Sequence, residues 1–160
     1  MQRLSQSRLA RLREELPQRE HQILQRIGQH GYLTTDQVQR FVFTDHASDD
    51  TAGRITRRVL GRLEQAGLIG SLRRRQGGLL GGSAPTTWHL SPGGARFLSS
   101  QTAGYRRRTP SLRHLLHSVA VAEAHLQAHR LRRQHSGDQH RHHGRTTLLA
   151  QPTTALPASV

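Results

Sequence analysis

Residues 49–66 read Asp49-Asp50-Thr51-Ala52-Gly53-Arg54-Ile55-Thr56-Arg57-Arg58-Val59-Leu60-Gly61-Arg62-Leu63-Glu64-Gln65-Ala66. At about 100° per residue, with Arg54 at zero, the four Arg fall within about −60° to +80°. On the same scale Ala52, Ile55, Val59, Leu60, Leu63 and Ala66 fall within about 100° to 240°. The two arcs do not overlap. The stretch therefore predicts a helix with one face for a core and the other showing four guanidinium groups to solvent. Ser48 or Asp49 supplies its N-cap, the two acids suit its first turn, and Gly67 ends it.

Upstream, Pro17 opens a helix with an apolar face of Ile23, Leu24 and Ile27, closed by Gly31. Thr34 and Gln37 have capping-box spacing and predict a short second helix that buries Val38, Phe41 and Val42. Downstream, residues 68–75 and 85–90 read as two strands, with Trp88 and Leu90 alternating with His89 as in a half-buried strand. Gln76 to Ala84 is too rich in Gly for a two-residue turn and reads as a loose hairpin tip. Ser91-Pro92 is a cap followed by a first-turn proline. Thr109-Pro110 repeats that signal before a long helix whose apolar stripe is Leu112, Leu115, Leu116, Val119, Ala122 and Leu126. Glu123 falls inside the stripe, and an Arg from elsewhere is its expected partner.

The resulting organisation is a basic N-terminal arm (1–16), a helical domain with a hairpin (17–99), a basic linker (100–108), a long amphipathic helix (109–134) and a His-rich disordered tail (135–160). The fold class is mainly α with a small β-hairpin. Helix, helix, helix, strand, loop, strand, helix is the order of a winged helix-turn-helix, here followed by a long C-terminal helix.

Composition narrows the function. The chain has 160 residues, a net charge of +14 and no Cys. Disulfide frameworks and thiolate chemistry are thereby excluded. No apolar run has the length of a membrane span, and the basic N-terminus lacks the apolar core of a secretory signal, so a cytoplasmic protein is expected. All 24 basic residues are Arg. A GC-rich genome accounts for Arg over Lys, so position matters more than number. Residues 17–46 carry three Arg and three acids, whereas residues 51–75 carry seven Arg and one acid. That blocking separates a neutral scaffold from a cationic surface. The expected partner is double-stranded DNA, contacted by Arg54, Arg57, Arg58 and Arg62 on the helix and by Arg73, Arg74 and Arg75 on the hairpin. The competing reading of the helix face is a solvated surface. Six aromatic residues, mostly at core positions, leave few stacking platforms for single strands or RNA.

No constellation supports catalysis. Asp49-Asp50 read as helix-start charges, no nucleophile is marked as activated, and the Gly77–Gly82 segment lacks the Lys-Ser/Thr of a phosphate loop. No enzyme activity, cofactor, metal site or small-molecule substrate is expected. The tail histidines His135, His140, His142 and His143, and the pair His114 and His117, read as solvated or packing residues. The long helix offers a surface for a homodimer, which would read two half-sites about one DNA turn apart.

Three stretches resemble the replication-relaxation proteins of plasmids and integrated elements in high-GC bacteria. They are Gly31-Tyr32-Leu33-Thr34-Thr35-Asp36-Gln37-Val38, then Arg57 to Ile69, then Trp88-His89-Leu90-Ser91-Pro92-Gly93-Gly94-Ala95; His114 to Glu123 resembles the helix that follows them. The likeness spans about residues 17–130. It implies a DNA-binding role in plasmid replication or maintenance. A transcriptional repressor of the MarR-like kind, or a protein-interaction module, is the alternative. Members of the family usually continue into a region with acidic and aromatic residues, so a truncated or frame-shifted member is expected.

Overall fold

Thr34 and Gln37 form the predicted box. The Thr34 hydroxyl accepts from the Gln37 backbone N–H at 3.2 Å, and the Gln37 side-chain oxygen accepts from the Thr34 N–H at 3.2 Å. The computed structural model describes residues 4–43, 48–72, 86–99 and 110–143, with side chains to residue 132. In chain order its elements are α1 (Gln6–Glu15), α2 (Gln18–His30), β1 (Leu33–Thr34), α3 (Thr35–Val42), α4 (Asp49–Gln65), β2 (Ile69–Leu72), β3 (Thr87–Leu90), α5 (Pro92–Leu98) and α6 (Leu112–His143). The protein is mainly helical with a small antiparallel sheet, as expected.

The sheet has one strand more than the sequence predicts. Its order is β1-β3-β2, with Leu33 opposite Trp88 and Ile69 opposite Leu90. A two-residue strand such as β1 has no periodicity to read and exists only through its partner. The central position of β3 also corrects the half-buried expectation. All four of its residues are buried, His89 included, because both edges and both faces are covered. The His89 ring shares a hydrogen bond with the Leu90 carbonyl at 2.7 Å.

One core serves α1 to β3 and reaches into α6. Ile23, Leu24 and Ile27 of α2 meet Val38 of α3, Leu60 and Leu63 of α4, and Leu68, Ile69, Trp88 and Leu90 around the sheet. The leucines of residues 1–16 join it. Leu9 is fully buried, with Leu4, Leu12 and Leu16 packed at its margin, so the expected arm is a docked helix. Arg13 donates to the Arg96 and Phe97 carbonyls, and Arg96 donates to the Leu4 carbonyl, tying α1 to α5.

α4 ends in a turn that needs glycine. Gly67 has φ +75°, and the Leu68 N–H reaches back to the Leu63 carbonyl at 3.0 Å. The start of α5 sits directly on this turn. Ser91 caps α5 by accepting from the Gly94 N–H, while its hydroxyl donates to the Gly67 carbonyl and its N–H to the Leu68 carbonyl. A Cβ on Gly94 would lie 1.9 Å from the Leu68 carbonyl oxygen. The glycine is there for close approach of two backbones.

α6 differs from its prediction at both ends. It begins at Leu112, capped by the Ser111 hydroxyl, which accepts from the His114 N–H at 3.2 Å. It runs on to His143, so residues 135–143 are helical where the loss of periodicity predicts a tail. Nothing between 127 and 143 is a proline, and Arg, Gln and His extend a helix at small cost. Its stripe is narrower than predicted: Leu115, Ala122 and Leu126 are buried, but Leu112 and Leu116 are exposed. Residues up to Leu126 form one compact unit and residues from Gln127 a second.

Glu123 has its predicted partner. Arg40 of α3 grips it with two hydrogen bonds, 2.7 and 2.9 Å, and Gln37 donates to the Val119 carbonyl beside it. This fork raises the Arg40 pKa above the ordinary arginine value, chiefly through its bond to Glu123. α6 is thereby fastened to α3 by a charge-assisted pair rather than by leucines alone.

Candidate nucleic-acid interface

Ser48 opens α4: its hydroxyl accepts from the Thr51 N–H, with Asp49 and Asp50 in the first turn. The inward face holds Ala52, Gly53, Thr56, Val59, Leu60 and Leu63. Thr56 is the polar member of that face, and its hydroxyl is satisfied by the Ala52 carbonyl at 2.7 Å. Arg54, Arg57, Arg58 and Arg62 all lie on exposed positions of the opposite face. The predicted segregation of the two arcs is what α4 displays.

The four Arg are not equivalent, which the helical projection cannot reveal. Arg62 is paired with Glu20 of α2, whose side chain is 7% exposed. Leaving that carboxylate buried without its cation would be costly, so Arg62 is bound to a structural duty. Arg54 leans on Asp50 one turn earlier at 3.4 Å, with both groups largely in solvent. Such a pair contributes little and yields easily to a stronger anion. Arg57 and Arg58 have no carboxylate partner among the described residues. They are the cations of α4 most open to an incoming anion.

Arg73, Arg74 and Arg75 lie outside the described residues. The strand that leads to them is fixed: Glu64 of α4 accepts from both the Ser71 N–H and the Ser71 hydroxyl, at 3.2 and 2.6 Å. Leu72, the last residue of β2, pairs with Thr87. The chain thus enters the Arg run from the strand attached to the C-terminal half of α4.

Several other Arg are engaged with rings. Arg26 lies over Phe41 and Arg19 over Phe43, at 5.4 and 5.3 Å from the ring centroids. Beside Phe41, His30 stacks at 5.1 Å and also meets the edge of His125. Burial, then the neighbouring His125 and Arg26, lower the His30 pKa below its ordinary value. His114 and His117 are exposed on α6, with His114 against the Tyr32 ring. Among the described residues no three metal-ligating side chains gather, and no helix is long and apolar enough to cross a membrane. The tail histidines His135, His140, His142 and His143 lie beyond the described side chains.

The family model described as replication-relaxation matches residues 24–152. No curated protein and no solved structure matches the chain.

Proposed function

The chain belongs to the replication-relaxation family, and from that premise we propose that it binds duplex DNA in the replication or maintenance of a plasmid-like element. The elements from α2 to β3 are read as a winged helix-turn-helix, with α4 as the helix that enters the major groove and the segment after β2 as the wing. The carrying observation is the outward face of α4, where Arg57 and Arg58 have no carboxylate partner among the described residues while the opposite face is sealed in the core. Arg54 joins them when an anion displaces Asp50, and Arg73–Arg75 follow from β2 toward adjacent phosphates. Arg62 is the weakest member of the set, because Glu20 holds it. The binding is mainly to phosphate, with an Arg fork able to read a guanine edge. It requires no cofactor, metal or catalytic group, and its setting is the cytoplasm.

A gel shift on a 20–30 base-pair duplex tests this. With about five phosphates neutralised, the logarithmic salt slope is about −4.5. Arg57→Gln with Arg58→Gln should reduce the slope by about 2 and weaken binding on every sequence. Unchanged binding by that variant removes α4 as the contact helix. A second reading, self-association through α6, is favoured by the exposed Leu112 and Leu116 one turn apart. Sedimentation at two concentrations decides it, and a strict monomer removes it.

A further inference from the structure

Gly53 falls at about −100° on α4, in the gap between the apolar arc and the cationic arc, on the side where Arg57 lies. Its φ is not positive, unlike those of Gly31 and Gly67, so its backbone would accept any helix former. An interior glycine also weakens a helix relative to alanine. What surrounds Gly53 gives it a reason. A Cβ there would stand 3.2 Å from Gln39 Oε1 and 3.3 Å from Arg57 Nη1, with Arg57 Nη2 at 3.8 Å. Gly53 is buried, and the atoms over it are the polar tips of two side chains rather than backbone, as at Gly94. Gly61 of the same helix would meet nothing within 4 Å.

Both tips have set positions. Gln39 Nε2 donates to the Asp49 carbonyl at 3.2 Å, which ties this carboxamide of α3 to the first turn of α4. Arg57 lies one turn beyond Gly53 on the same face and folds back, so that its guanidinium rests over the space a side chain would take. That guanidinium has no carboxylate partner among the described residues. Its place is set by shape while its charge stays uncompensated. A long cation held in place before binding loses less side-chain freedom when it binds. We propose that Gly53 and Gln39 are positioning residues that seat the Arg57 guanidinium for contact with a duplex phosphate. This rests on the duplex-binding reading above and names the residues that act through one of its cations.

The test uses the full chain and a fluorescein-labelled duplex, with anisotropy read from 50 to 200 mM salt. Arg57→Gln removes one phosphate contact and reduces the logarithmic salt slope by about 0.9, so it loses about 3.5-fold less affinity than the parent across that range. Gly53→Leu fills the seat without changing the net charge. It should show the same reduction, with a melting temperature no lower than the parent's, because Leu is the better helix former. Adding Arg57→Gln to Gly53→Leu should then change nothing further. A parental slope in Gly53→Leu, beside a lowered one in Arg57→Gln, overturns the seat and leaves the α4 reading standing. Additive losses in the double variant overturn it too, since Leu would then act by bulk alone. If Gly53→Leu does not fold, Gln39→Glu decides, being close to Gln in shape. A carboxylate at that point captures the guanidinium, so Arg57→Gln should cost no further slope in that background, and a full further loss of about 0.9 overturns the proposal. A parental slope in Arg57→Gln overturns it as well, because there is then no contact to position. A parent that binds no duplex overturns both readings.

Discussion

Glu20 and Arg62 set the terms at the residue scale. They are 42 positions apart, so no helical projection of α4 can anticipate that one of its four cations serves a buried carboxylate on α2. Arg62→Gln should destabilise the protein by about 1–2 kcal/mol, reduced from a fully buried pair because the guanidinium is half in water. Adding Glu20→Gln should recover part of that loss in urea unfolding. If the single and double variants are equally unstable, the pair is not the cause. His30 gives a second residue-scale consequence. Its pKa is lowered in the folded protein by burial, so the unfolded chain takes up the proton first as pH falls. The stability it contributes is complete above the unfolded value near 6.5 and is lost as pH falls through the lower folded value. Urea midpoints at pH 7.5 and 5.5 should diverge more in the parent than in His30→Gln.

At the scale of elements, the ends of helices were the most readable features. Thr34 with Gln37, Ser48, Gly67 and Ser91-Pro92 each stand where the sequence places them, because a cap is a local contract between a side chain and the next turn. Thr34→Ala should cost about 1 kcal/mol in thermal or urea unfolding. What depends on distant partners was not readable. β1 needs β3, the burial of His89 needs both edges of the sheet, and the exposure of Leu112 and Leu116 depends on what the fold sets opposite them. The sequence pattern ends α6 at Gln134, because periodicity is lost from His135 onward, although helix propensity is not. Gly94 shows a further kind of invisibility, a glycine kept for approach rather than for φ. Gly94→Ala should destabilise by about 2–3 kcal/mol, since a carbonyl oxygen at 1.9 Å must move with its backbone. A melting temperature within a degree of the parent would contradict that packing.

For the whole molecule, charge and core are divided between different parts of the chain. Residues 17–46, which include α2 and α3, are neutral in sequence and supply much of the core, while α4 lends one face to each task. That division was legible from the blocked charge. The identity of the available cations was not, because the pairing of Arg62 with Glu20 is a three-dimensional property. The sheet separates the tasks again. β2 and β3 close on each other at Leu72 and Thr87, with Thr35 holding the Thr86 carbonyl. Register is therefore set on the near side of residues 73–85. Four Gly-Ser residues inserted after Gly78 should lower stability by only about 0.2 kcal/mol by loop-closure entropy. A large drop in melting temperature would show that those residues support the sheet.

The ladder between β2 and β3 thus works like a buckle with a strap of adjustable length. The length and charge of residues 73–85 can then change while the fastening and everything folded behind it stay as they are.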